Sequence, residues 1–208
     1  MGRGARLPLC WKERIRHARP RYAAATAHPA VECFYGHATC RTPGCRARLV
    51  YRRGSPARLV WDHLHGISTR LPPGDIDLIY FDASDLSAVT EARYAEQLRH
   101  TVPRLPWEVT NQARVHLWYQ QHFGFAVPAL TSISEAVATW PEYATCVAVQ
   151  LQADATLDIV APHGLDDLFG MVVRHNPTRA SAAEYQRRVA SKRYQERWPR
   201  VTILASQG

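Results

Sequence analysis

Apolar and polar positions fall into regular periods only from about residue 59 onward. Leu59–His65 places leucine and tryptophan at helical spacing, and Gly66 follows as a natural C-cap. Pro72-Pro73-Gly74 is a loop, and Ile76–Phe81 reads as a strand. Asp82 to Ser87 supplies capping residues for a helix over 86–99, with Leu86, Val89, Ala92, Ala95 and Leu98 as its apolar stripe. Trp107–Asn111 alternates like a strand, and Val115–Phe123 is a short helix stopped by Gly124. Ser132 and Glu135 match a capping box opening a helix that ends by Pro141. Ala144–Gln152 and Thr156–Val160 read as a hairpin turning at 153–155. A short helix at 164–169, a polar basic helix over 181–197 halted before Pro199, and a strand over 201–204 complete the pattern. There is no internal repeat. The mixture predicts an α/β (α+β) fold with locally paired strands.

Residues 1–50 lack either period, and Pro8, Pro20, Pro29 and Pro43 interrupt every candidate element. We therefore expect an atypical basic leader over 1–50 and one folded domain over 51–208. Charge follows the same division. Residues 1–58 hold 13 Lys/Arg against 2 Asp/Glu, and residues 59–208 hold 13 against 16, so the net +8 of the chain resides in the leader. Nucleic-acid binding is thus an alternative that rests on the leader alone. A shifted reading frame or a start displaced to near residue 55 would also account for the change in composition. Of five cysteines, Cys33, Cys40 and Cys45 lie near His37, but their spacing is looser than that of zinc sites. An odd count argues against a disulfide framework. No apolar run approaches the roughly 20 residues of a membrane span, and no secretory signal is recognisable, so a cytoplasmic protein is expected.

Candidate chemistry centres on Asp75-Ile76-Asp77. Alternate residues of a strand share a side, so two carboxylates stand roughly 7 Å apart by the ~3.3 Å rise per residue. Hard cations such as Mg2+ or Mn2+ take such oxygen ligands together with substrate phosphates. Glu108, on the next strand, is the candidate third carboxylate. Asp62 reads as a helix-face residue, Asp166 and Asp167 as favourable acids at a helix start, and His116 as a structural histidine. Arg187, Arg188, Lys192, Arg193 and Arg197 read as a solvated basic face.

Five motifs occur in one order: Trp61-Asp62-His63-Leu64-His65-Gly66; Asp75-Ile76-Asp77 with Tyr80-Phe81-Asp82; Asn111-Gln112-Ala113-Arg114-Val115-His116; Trp140-Pro141-Glu142; and Ala161–Phe169 (APHGLDDLF). Over about residues 59–204 they resemble a bacterial family classed as nucleotidyltransferase-like. That resemblance implies a small mixed sheet with flanking helices and a metal-binding D-x-D strand. Nucleotidyl transfer takes an NTP as donor, and the resemblance leaves the acceptor open: small molecule, protein or RNA. Within such a site Gly54-Ser55 would cradle phosphates. Arg114 would hold a triphosphate by paired hydrogen bonds, and Asn111 and Gln112 would read base or ribose. The segment Gly54-Ser55-Pro56-Ala57-Arg58 departs from the family pattern in lacking an asparagine, and residues 1–53 match nothing of the family. A catalytically inactive nucleotide-binding or interaction module of the same fold is therefore the first alternative.

Overall fold

Ile76, Leu78 and Tyr80 alternate with Asp77 and Ile79 along one strand, and each set has its own layer to meet. The computed structural model describes residues 50–52, 56–67, 76–101, 103, 105–151 and 157–206, all within the unit Cys40–Gly208. The expectations for the leader, its cysteines, Gly54, Ser55, Asp75 and the 153–155 turn lie outside the described residues. The larger sheet has the order β3 (Trp107–Asn111), β2 (Ile76–Tyr80), β1 (Val50–Arg52), β4 (Ala148–Leu151), β5 (Leu157–Val160). Strands β2 and β3 are parallel and are joined through helix α2 (Ala88–Thr101), as a parallel pair requires a crossover. The pairs β1–β2, β1–β4 and β4–β5 are antiparallel.

Side chains in register across a sheet share a face. One face carries Ile76, Leu78, Tyr80 and Trp107, all buried, with Ala95 and Leu98 of α2 buried on that side of the crossover. Tyr80 meets Tyr94 of α2 edge to face, ring centroids 5.4 Å apart. The buried stripe of α2 differs from the expected one. Val89 is 74 % exposed and Ala92 is exposed, while Ala95 and Leu98 are buried and Glu91 and Tyr94 half-buried. The first turn tilts outward because Glu91 turns to polar partners on β3 rather than to the core. On the opposite face Ile79 and Ala148 pack with Val137 and Cys146, closed by Ile133, Trp140 and Val160. Helix α4 (Ile133–Ala138) supplies this cover, capped by Ser132, whose hydroxyl accepts the Glu135 N–H. Between them α3 (Val115–Phe123) ends at Gly124, whose φ of 83° lies in the left-handed region that glycine tolerates.

A second core joins the C-terminal elements to α1 (Pro56–Leu64). These elements are α5 (Asp166–Phe169), β6 (Val172–Val173), α6 (Ala182–Lys192), α7 (Tyr194–Arg197) and β7 (Thr202–Ile203), with β6 and β7 paired in parallel. Trp61 is fully buried at its centre. Its indole Nε1–H donates to the Leu168 carbonyl at 2.7 Å, and Tyr194 and Trp198 meet its ring edge to face at 5.6 and 5.3 Å. The expected single helix over 181–197 is two helices. Arg193 adopts φ 47°, and this break sets Tyr194 and Trp198 against Trp61. The expected strand start at Ala144 moves to Ala148, because Tyr143–Thr145 closes a 3-10 turn on the Glu142 carbonyl. Among the described residues no helix is long and apolar enough to cross a membrane. Trp61→Ala should cost about 3–5 kcal/mol in urea unfolding, as large core truncations do; a loss below about 1 kcal/mol would show that this core does not hold α1.

Candidate active site

Asp77 lies between two strands that fix its neighbours. It is the register partner of Glu108 on β3 and of Arg52 on β1. Parallel pairing brings Asp77 and Glu108 onto one face of the sheet, on strands about 4.8 Å apart. Asp77 is half-buried and Glu108 exposed. Ile79, two residues on, enters the core beneath α4, so this acidic end of the face begins where the apolar cover stops. The oxygen donors suit a hard divalent cation. Among the described residues no cluster of three or more His, Cys, Asp or Glu is placed to hold a metal ion. Helix α1 begins at Pro56, directly after Gly54-Ser55. A proline at the first helical position has no N–H that the helix would miss.

Asn111, expected to read base or ribose, is fully buried and its carboxamide is committed to the backbone. Its oxygen accepts the N–H groups of Asp82 at 3.0 Å and Ala113 at 3.1 Å. Its amide nitrogen donates to the carbonyls of Asp82 and Asp85, both at 2.8 Å. Arg114, expected on the triphosphate, pairs with Glu91 at 2.6 Å and donates through Nε to the Leu86 carbonyl at 3.1 Å. Glu91 also accepts the Asn111 N–H at 2.6 Å. We assign Asn111 and Arg114 to the frame: together they tie the loop after β2 to the end of β3. Gln112 is buried in the 3-10 turn that follows. Tyr80 Oη and His116 Nδ1 are buried with no hydrogen-bond partner among the described residues. Burial, then the neighbouring Glu91, pushes the Tyr80 phenol well above its usual range, so it stays protonated.

The other acids have structural partners. Asp62 receives a forked pair from Arg197, Nε at 2.9 Å and Nη2 at 2.8 Å, and the Trp198 indole N–H at 2.8 Å. Asp167 pairs with Arg174 at 3.0 Å, and Asp166 opens α5 beside it. Two of the basic residues read as solvated are thus drawn inward. Arg197 grips Asp62, and Arg188 pairs with the fully buried Glu142 at 2.5 Å. Helical spacing carried the signal for Arg188, which lies three residues after Tyr185, a position buried in the second core. Trp140-Pro141-Glu142 was visible as a motif but carried no sign that its acid would be buried.

The architecture is an α/β fold whose mixed sheet carries Asp77 and Glu108 on one face. More narrowly, the model of the nucleotidyltransferase family matches residues 53–203, and the chain belongs to that family. A CCA-adding enzyme head domain solved by NMR is similar over 76 % of this chain and 82 % of its own, at 27 % identity and a TM-score of 0.63. Two structures of a tRNA-processing enzyme match at 14 % and 15 % identity, with TM-scores of 0.45 and 0.43; the chain spans less than half of each, 46 % and 42 %. No curated protein matches. Family and fold support nucleotidyl transfer as the class of activity. For the frame, Asn111→Ala should cost at least about 2 kcal/mol in chemical denaturation, because it strips a cap and leaves buried backbone groups unsatisfied; an unchanged midpoint would remove Asn111 from the frame.

Proposed function

We propose that this protein is a metal-dependent nucleotidyltransferase that moves a nucleoside monophosphate from an NTP to an acceptor, with its site on the Asp77–Glu108 face. The observation that carries the reading is the register of Asp77 with Glu108 across parallel strands, in a chain of this family. Asp75 and Asp77 would hold Mg2+ or Mn2+ by carboxylate oxygens. A cation held there would supply charge neutralisation at the phosphates and acidification of the attacking hydroxyl. The acceptor oxygen forms a bond to the α-phosphorus, the bridge to the β-phosphate breaks, and pyrophosphate leaves. Glu108, the exposed carboxylate on the neighbouring strand, takes the acceptor proton. Gly54-Ser55 lies where a phosphate-cradling turn would feed the α1 N-terminus, whose dipole favours anions. Asn111, Gln112 and Arg114 shape the neighbouring loop. Among small-molecule, protein and RNA acceptors, the likeness to a CCA-adding head domain favours RNA.

A thermal-shift panel of the four NTPs with Mg2+ or Mn2+ tests the site. An NTP at 100 times its dissociation constant should stabilise the wild-type protein by about 2.7 kcal/mol and Asp77→Asn by far less, with the unliganded melting temperature retained. Equal, metal-independent shifts in both proteins would refute the assignment of this face.

A further inference from the structure

Glu142 has no solvent exposure, yet three polar groups converge on its carboxylate. Thr145 Oγ1 donates to Oε2 at 2.9 Å, the Tyr194 hydroxyl donates to Oε1 at 3.3 Å, and Arg188 Nε donates to Oε1 at 2.5 Å. The Arg188 side chain keeps 30 % of its exposure while its partner keeps none, so the pair is anchored at Glu142 and Arg188 is the member that reaches solvent. A guanidinium carries five N–H donors. Among the described residues only the Nε–H of Arg188 makes a hydrogen bond; the four on its terminal nitrogens make none. Burial opposes the charge on Arg188, but Glu142, then Tyr194 and Asp77, outweigh it and raise its pKa further. Geometry places the pair on the Asp77 side of the sheet: Cys146, packed against Ile79 on that face, donates its Sγ–H to the Glu142 carbonyl at 3.3 Å, and Arg188 of α6 meets the carboxylate of the same residue.

Neutralising Glu142 needs only one positive charge, which a lysine supplies as well. What a lysine does not supply is a planar fork whose two ends serve different partners. A stem nitrogen on a buried carboxylate, with the terminal nitrogens left unbonded among the described residues, is the arrangement expected of an arginine held ready for a phosphate oxygen. Resting on the reading above, we propose that Arg188 contacts the β- or γ-phosphate of the bound NTP through its terminal nitrogens, with Glu142 as the positioning residue that aims it. Arg188 is then what distinguishes a triphosphate from a monophosphate at this site, and Asp77 and Arg188 grip the same phosphates through metal and fork.

The test is affinity for the NTP that stabilises the wild-type protein most, and for the corresponding NMP, each with Mn2+, by calorimetric titration. Arg188→Met should weaken NTP binding about 10- to 100-fold and leave NMP binding within about threefold, the NTP loss matching charge-assisted hydrogen bonds at about 1.4 kcal/mol per tenfold. Arg188→Lys, which keeps the charge, should still lose most of the NTP preference. Because Arg188→Met leaves Glu142 buried and unpaired, the double variant Glu142→Gln/Arg188→Met serves where the single variant does not fold, and should show the same selective loss. Equal losses for NTP and NMP, or lysine behaving as arginine, would overturn the assignment and leave Arg188 a structural counter-charge. NTP binding equal in wild type and Arg188→Met would overturn this inference alone, whereas no NTP binding by the wild-type protein would overturn the underlying reading as well.

Discussion

The two-residue alternation of β2 is the constraint on which the rest of this fold depends. One side of the strand, Ile76, Leu78 and Tyr80, is buried on the face that α2 spans. The other side begins with Asp77 and continues into Ile79, which α4 covers. A slip of one residue would drive Asp77 into the apolar layer and move a large apolar side chain to the acidic end of the other face, so burial itself fixes the register. With β2 fixed, the parallel β3 delivers Glu108 beside Asp77. The acidic face is thus a by-product of packing the opposite face, and it needs no separate device to hold its backbone.

A second constraint operates in the C-terminal core, where the fold accepts a buried carboxylate. Removing a charge from water costs several kcal/mol, and the cost is met only when partners converge on it. Thr145, Tyr194 and Arg188 converge on Glu142 from a 3-10 turn and two helices, so the carboxylate couples elements distant in sequence. The left-handed residue Arg193 is part of the same arrangement, since Tyr194 reaches both Glu142 and Trp61 only after the helix has broken there. Asp62, gripped by Arg197 and Trp198, locks α1 to the same elements.

Much of this was legible in the sequence. The alternation of residues 76–81 and 107–111 marked both strands, Gly124 marked a helix end, and Ser132 with Glu135 marked a helix start, because these signals are local. The α2 stripe was misplaced because apolar spacing does not register a glutamate that turns toward the backbone of β3. Asn111 and Arg114 looked like ligand contacts for a related reason. A polar cluster after a strand has one appearance in sequence whether its partners are phosphates or loop carbonyls, and only the fold shows that the Asp82 and Asp85 carbonyls lie within reach. Arg188 was hidden by composition: among five basic residues, periodicity alone distinguished the one that meets a buried acid 46 positions earlier.

The most direct test of the account is the anomalous scattering of Mn2+ in crystals grown with a non-hydrolysable NTP analogue. The account predicts a manganese peak bound by the Asp77 carboxylate on the Glu108 side of the sheet, with the β- or γ-phosphate between it and the Arg188 guanidinium. Manganese and phosphates found together elsewhere on the protein, with Asp77 uninvolved, would contradict it.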